Sequence, residues 1–581
     1  MINFNLSFSP NLKKMKISSV LVILACMALS GGLGSCRFAT SNKETPSELP
    51  LEAALEAPFL WENANIYFLL TDRFNNGDPS NDVNFDRNDQ TAKLRGFEGG
   101  DIKGIIQKIE EGYFDHLGIT ALWTTPWFEQ IHEGTDEGTG KTYGFHGYWI
   151  SDWTSMDPNF GTEEDLTKLV ETAHKHGIRV VMDVIINHTG PVTDLDPVWP
   201  DEWVRTEPAC TYQDYESTVT CTLVKNLPDI RTESDQEVEL PPQLLEKWAK
   251  EGRLEKEMAE LDAFFERTDY PRAPRYYLIK WLTDFVRKYG IDGYRLDTAK
   301  HIEEDIWSDL GKEAQTAFDE WKQLHPDKVL DTNEFYMVAE VYGYGISGGR
   351  LFNFGDRQVD FFSQEIDAMI NFEFKESAKM DYEQLFSSYS DQLYGPLKGV
   401  GVLNYLSSHD DGRPFDKERV KPMEAGTKLL LSPGASQVYY GDESSRELVI
   451  PGTQGDATLR SKMNWEEMES NVVRNGIPIS EVRLHYQKLG QFRRAHPAVG
   501  VGLHRMISQT PYIFSRVYET EGYSDCVVAG LDLKPGKKQI VLNGLFEEGT
   551  VIRDYYSGEK VIVKEGRVTL DTPHDMVLLG L

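Results

Sequence analysis

Eight short runs of apolar, β-rich residues recur along the chain, at 66–70, 121–123, 180–186, 293–296, 335–339, 368–372, 402–406 and 437–440. Most are followed at once by a polar residue. Between several of them lie helical patterns. After Gly161, Thr162 and Asp165 form a capping-box pair, Leu166, Leu169, Val170 and Ala173 fall on one face, and Gly177 supplies the stop. Leu278, Trp281, Leu282 and Phe285 repeat that face and Gly290 repeats the stop. A strand that is apolar on both sides needs cover on both sides, and alternating helices provide it, so the pattern predicts a parallel sheet. Eight runs with helices between them predict a (β/α)8 TIM barrel with insertions, although the pattern alone does not separate this from an open doubly wound sheet. In a barrel, the residues just beyond each strand's C-terminal end meet at one mouth.

The rest of the chain divides around that repeat. Lys13, Lys14 and Lys16 precede an apolar run at 20–29, too short for the roughly 20 residues of a membrane-spanning helix. Basic residues, a short apolar stretch and then small residues make a secretory signal. Leu33, Gly34, Ser35 and Cys36 resemble a bacterial lipobox, which implies a signal peptide over 1–36 and a lipid on Cys36; cleavage and release is the alternative. Met15 is a second candidate start. Residues 37–58, rich in Ser, Glu, Thr and Pro, read as a tether. The barrel then takes 59–188 and 227–495, broken by an inserted domain at 189–226 that holds Cys210 and Cys221, either as a disulfide or as two thiols. Residues 242–266 read as one charged helix with Pro242 at its start. From 496 to 581 strand-like pieces replace the helical period (512–517, 526–531, 540–542, 560–563, 568–570), which predicts an antiparallel β-sandwich.

Composition narrows the partners. With 12 Trp, 26 Tyr and 28 Phe the chain can bury a large core and is not disordered. Its 93 acidic against 60 basic residues give a net charge of −33. Such a surface repels phosphate, which argues against nucleic acid, is indifferent to a neutral polymer such as a glycan, and favours bound cations.

Polar chemistry gathers at four of the strand ends. They carry Asn187 and His188; Arg295, Asp297, Lys300 and His301; Glu340; and His409 and Asp410. A lone carboxylate in such a place is ordinarily structural, and a lone His is as often a satisfied core residue as a ligand. Three carboxylates with His and Arg beside them, all at one barrel mouth, point to a site.

These four segments resemble, in order and at suitable separations, the signature regions of the α-amylase family of glycoside hydrolases. Leu227, Pro228 and Asp229 are similar to a further family motif at the end of its inserted domain, and 145–149 and 366–372 are similar to stretches of its bacterial periplasmic members. The resemblance implies a retaining, endo-acting α-amylase that cuts α-1,4 bonds of starch and maltodextrin. Asp297 would be the nucleophile, Glu340 the acid and base, and Asp410 the holder of sugar hydroxyls in a distorted ring. His188 and His409 would hydrogen-bond the sugar, Tyr148 would stack on it, Arg295 would keep Asp297 ionised, and Lys300 would meet the leaving-side glucose. Ser408 departs from the family's usual Asn, which bears on subsite detail. Neopullulanase, cyclomaltodextrinase and glucanotransferase are alternatives with the same chemistry, and a non-catalytic starch-binding lipoprotein is a further one. The expected location is the periplasm or cell envelope, with contact to a membrane only through the lipid and with glycan-uptake components as neighbours.

The resemblance also implies calcium. One ion would tie the inserted domain to the barrel through Asn187, Asp229 and the carbonyl of His301. A second would lie in the N-terminal loop between Asn76, Asp78, Asn81, Asp82, Asp101 and the carbonyl of Gly99.

Overall fold

The computed structural model describes residues 57–581. The signal, Cys36 and all but the end of the tether lie outside the described residues. Each of the eight apolar runs forms a strand: β1 (Asn65–Leu69), β2 (Ala121–Thr124), β3 (Arg179–Val184), β4 (Gly293–Leu296), β5 (Tyr336–Ala339), β6 (Ala368–Asn371), β7 (Gly401–Tyr405) and β8 (Ala435–Tyr439). All neighbours pair in parallel, and β8 returns to β1 with Ser436 opposite Asn65, which closes the barrel. Closure settles the choice that the sequence pattern left open.

The helices begin and end where the chemistry demands. Helix α1 (Glu163–Lys175) starts at Thr162, whose side chain and that of Asp165 make the reciprocal capping box. Helix α2 (Pro274–Tyr289) ends at Gly290, which adopts φ +74°, a left-handed turn that costs glycine nothing. The helix expected at 242–266 is two, Pro242–Lys250 and Leu254–Thr268. Gly252, at φ +73°, breaks it between them.

Two of the excursions between barrel strands concern the site. Between β3 and β4 the chain forms a small hairpin, Val204–Arg205 against Asp229–Ile230, and the Cys210–Cys221 disulfide closes a loop within it. After β5 a second hairpin follows, Leu351–Asn353 against Gln358–Asp360, which the sequence reading does not contain. Beyond Val501 a six-stranded antiparallel sheet and a two-stranded one enclose a separate core that includes Ile513, Val528, Ile540, Leu570 and Leu579. Among the described residues no helix is long and apolar enough to cross a membrane.

Candidate active site

Asp297, Glu340 and the strand β3 residue Asp183 converge on one guanidinium. Arg295 Nη1 lies 2.8 Å from Asp183 Oδ1 and 2.6 Å from Asp297 Oδ1, and Nη2 lies 3.0 Å from Glu340 Oε2. Local geometry explains the convergence. Arg295 lies in β4 and Asp297 stands just past its end, two residues on, so their side chains point to the same side. Parallel pairing sets Arg295 of β4 between Asp183 of β3 and Val338 of β5, and Glu340 lies two residues beyond Val338, at the end of its strand. Arg295 and Asp183 are almost wholly enclosed, and ions so buried must pair.

Burial sets the proton affinities. It pushes the Glu340 carboxyl up to about 8, against the pull of Arg295 and with the help of Asp297 and Asp410. Glu340 therefore keeps its proton at neutral pH. The Thr298 backbone N–H donates to its Oε2 at 2.9 Å. Burial likewise lifts Asp183 to about 7, with Arg295 opposing. Asp183 also accepts from the Tyr148 hydroxyl at 2.8 Å and from the Trp123 indole at 3.0 Å.

The other expected side chains take their places around this group. The Tyr148 ring stacks on His409 with 5.2 Å between centroids and 12° between planes. Burial lowers the basicity of His409, to about 4, and of His188, so both present neutral rings. His188 Nε2 meets the Tyr148 carbonyl at 3.2 Å. Asp410 stands at the open mouth beside His409, with its side chain one-third exposed (34%). Ser408 Oγ lies 3.3 Å from His409 Nδ1. Lys300 reaches away from this cluster to donate to the Tyr342 carbonyl at 3.0 Å.

Sequence reasoning missed Asp183. Its signal was a charged residue inside a strand otherwise apolar on both faces, a position that needs a buried partner. It also missed Arg460, which donates to the His409 carbonyl at 2.9 Å from far along the chain.

The two implied calcium positions differ. Among the described residues no group of three or more His, Cys, Asp or Glu side chains is arranged to hold a metal. At the inserted segment, the buried Asn187 Oδ1 has no hydrogen-bond partner, and Ile230, next to Asp229, donates to the Asn187 carbonyl at 2.8 Å. Asp229 faces Arg205 at 2.8 Å, yet burial still pushes its carboxyl up to about 9. An oxygen without a donor beside an under-compensated carboxylate fits a hard cation. His301 turns its ring to the Thr218 carbonyl at 3.0 Å, so the expectation draws on its backbone carbonyl and not on its ring.

The N-terminal loop does not fit as expected. Asp101 caps the helix Ile102–Glu110, and its two oxygens receive the N–H groups of Gly77, Asp78 and Gly104 at 2.6–3.1 Å. Asp78 is held by Lys103 at 2.6 Å and by Ser80. Asn76 donates to Asp82 at 2.9 Å beside Gly99, where Asn81 Oδ1 is left without a partner. Protein donors thus take two of the expected carboxylates, and a lysine supplies the positive charge.

The chain belongs to the α-amylase family. Residues 68–476 match the family described as the catalytic domain of α-amylase. Among curated proteins, the periplasmic α-amylase of Escherichia coli is 37% identical over 511 residues, which cover 78% of this chain and 70% of that protein. A cyclomaltodextrin glucanotransferase of Thermoanaerobacterium thermosulfurigenes is 25% identical over 78% of this chain and 58% of its own longer length. The α-amylase of Geobacillus thermoleovorans, solved as a complex with acarbose, superposes with a TM-score of 0.60 at 21% identity, over 90% of this chain and 99% of that one. The protein is therefore a glycoside hydrolase of this family.

Proposed function

We propose that the protein is a retaining, endo-acting α-amylase that cleaves α-1,4-glucosidic bonds of starch and maltodextrins. The observation that carries this is the single Arg295 guanidinium within 2.6 Å of Asp297 and 3.0 Å of Glu340. A shared guanidinium keeps two carboxyl groups close, as a retaining pair some 5 Å apart requires. Burial keeps Glu340 protonated.

Asp297 attacks the anomeric carbon as Glu340 gives its proton to the glycosidic oxygen. The carbon–oxygen bond breaks, the leaving glucan departs as an alcohol, and the sugar is esterified to Asp297. Glu340, now ionised, takes a proton from water, the resulting hydroxide equivalent attacks the same carbon, and Asp297 is released. Asp410 grips the sugar hydroxyls, His188 and neutral His409 hydrogen-bond the ring, and Tyr148 stacks on it. Calcium would be held by Asn187, Asp229 and the His301 carbonyl, where it would join the inserted segment to the barrel and take no part in bond cleavage. Solved relatives named as complexes with maltose and maltotriose support an α-glucan substrate. Similarity to a periplasmic enzyme supports export, and the Cys36 motif supports a lipid anchor.

The test is a time course of products from amylose, with calcium, for the wild type and Asp297→Asn. Short maltooligosaccharides from the wild type alone are expected. Cyclic products, or chains longer than the starting material, would move the reading to a transferase. Retained amylose binding without products from either would make the protein a binder.

A further inference from the structure

Asp297, Glu340 and Asp410 are not held alike. Asp297 and Glu340 each follow the last residue of a strand and stay in its ladder. The Asp297 N–H donates to the Val184 carbonyl at 3.0 Å, and the Glu340 N–H to the Leu296 carbonyl at 2.9 Å. Strand β7 ends at Tyr405, and Asp410 stands further on, in a loop closed by the Phe415 N–H and the Leu406 carbonyl at 2.9 Å. Among the basic side chains of the described residues, the Asp410 carboxylate meets only His409, whose Nδ1 is 3.9 Å away and beyond hydrogen-bond reach. A group that grips sugar hydroxyls must keep its oxygens free of the protein, so its position has to be set through its neighbours.

Those neighbours are tied down. Before Asp410, Arg460 Nε donates to the His409 carbonyl. After it, Asp411 uses both of its oxygens to anchor the loop. Oδ2 accepts the Tyr405 hydroxyl at 2.7 Å and pairs with the Lys375 ammonium, while Oδ1 accepts the Arg413 N–H at 3.0 Å. The two side-chain partners belong to the barrel. Tyr405 is the last residue of β7 and is almost wholly buried, and Lys375 lies in the short helix Phe374–Ser377 that follows β6. The Lys375 and Asp411 side chains are each nine-tenths buried. A lysine so enclosed needs a counter-ion, and a carboxylate held by an ammonium and a hydroxyl is fixed in orientation as well as in place. Both partners lie within electrostatic reach of Asp410. Burial lowers the proton affinity of Lys375, Arg413 adds to the fall, and Glu376 and Asp410 oppose it. Burial raises that of Tyr405, with Asp410 and Glu340 the next causes.

We infer that Tyr405, Asp411 and Lys375 are positioning residues for Asp410: they lock its loop to the barrel at β7 and just past β6, and so place the carboxylate that grips the distorted sugar. The inference rests on the hydrolase reading above. Asp410 acts on the ring as it distorts, so the lock is felt in the transition state more than in the bound ground state. One dimension conceals it, since Lys375 is 36 residues from Asp411.

The experiment is a double-mutant cycle read as kcat/KM for fluoride release from α-maltotriosyl fluoride. Fluoride departs without a proton, so the measured step does not need Glu340 as an acid, and any effect of the lock on that residue's proton drops out. Asp411→Asn and Lys375→Met should each lower kcat/KM about ten- to a hundredfold, as a misplaced group at the reacting centre does. Tyr405→Phe should lower it about three- to tenfold, for one lost hydrogen bond. Maltotriose should bind each variant with a Kd within about twofold of wild type. In the Asp410→Asn background each substitution should cost less than about twofold, because the group it positions is already lost. If the charge variants do not fold, Tyr405→Phe, which keeps the ring, carries the test. An equal loss in both backgrounds would overturn the inference, as would no loss in either, or a rise in the maltotriose Kd that accounts for the whole effect. A wild type that releases no fluoride would instead sink the hydrolase reading itself.

Discussion

The two sides of the cleft are built by different means. On the catalytic side Asp183, Arg295, Asp297 and Glu340 come from three adjacent barrel strands or their ends, almost wholly buried and tied through one guanidinium. On the side around Lys300, Tyr212, Tyr342 and Phe352 come from loops and hairpins, with half of each tyrosine open to solvent. A strand inside a closed barrel cannot move without breaking ladders on both edges, so it holds reacting groups to tenths of an ångström. An excursion can vary in length and sequence without disturbing the barrel. If the proposed function holds, the contrast teaches that the reaction is written into the barrel and the choice of glucan into what departs from it.

The comparison predicts a steep fall in the size of mutational effects from one side to the other. The largest belongs to Glu340→Gln, which should lower kcat on amylose on the order of 10⁴-fold, as loss of a principal catalytic group does. The same variant should melt at a higher temperature. Burial raises the folded-state affinity of Glu340 for its proton to about 8, so its contribution to stability is present below the unfolded value near 4.5 and is lost as pH rises through 8. The gain in melting temperature should therefore grow between pH 5 and 9; a gain that shrinks with pH would contradict the assignment.

Next comes the pH profile. Activity should decline on an alkaline limb near pH 8 as Glu340 loses its proton. Asp183→Asn should move that limb to lower pH, because Arg295 then shares its charge among fewer carboxylates and stabilises ionised Glu340 more strongly. It should also lower kcat by roughly ten- to a hundredfold, since a hydrogen bond to a charged group contributes about 1.5–3 kcal/mol. A limb that stays in place would show that Asp183 acts only through packing.

The smallest effect is expected on the open side. Tyr342→Ala should raise KM for long maltooligosaccharides about fivefold, with kcat on a glycosyl fluoride almost unchanged. Loss of both parameters together would erase the distinction between the two sides.

Much of this was legible before any coordinates. The eight runs are apolar because barrel strands are covered on both faces, and that demand is visible in one dimension. The same holds for the capping box at Thr162 and Asp165, whose partners are three residues apart. Other features were hidden. Asp183 looks like a flaw in a strand until Arg295, 112 residues away, is beside it. Asp101 and Asp78 look like calcium ligands until three backbone N–H groups and Lys103 claim them.

The sequence by itself determined the identity of the repeat and the strand ends beyond which Asp297, Glu340 and Asp410 stand. Periodicity and strand-end position are local properties, so one dimension contains them. Only the tertiary structure decided that the sheet closes, that one arginine serves three carboxyl groups, and that Tyr212 and Phe352 reach the same lysine. Those facts rest on distances between residues far apart in the chain, and it is burial among such distant neighbours that holds the Glu340 proton in place at neutral pH.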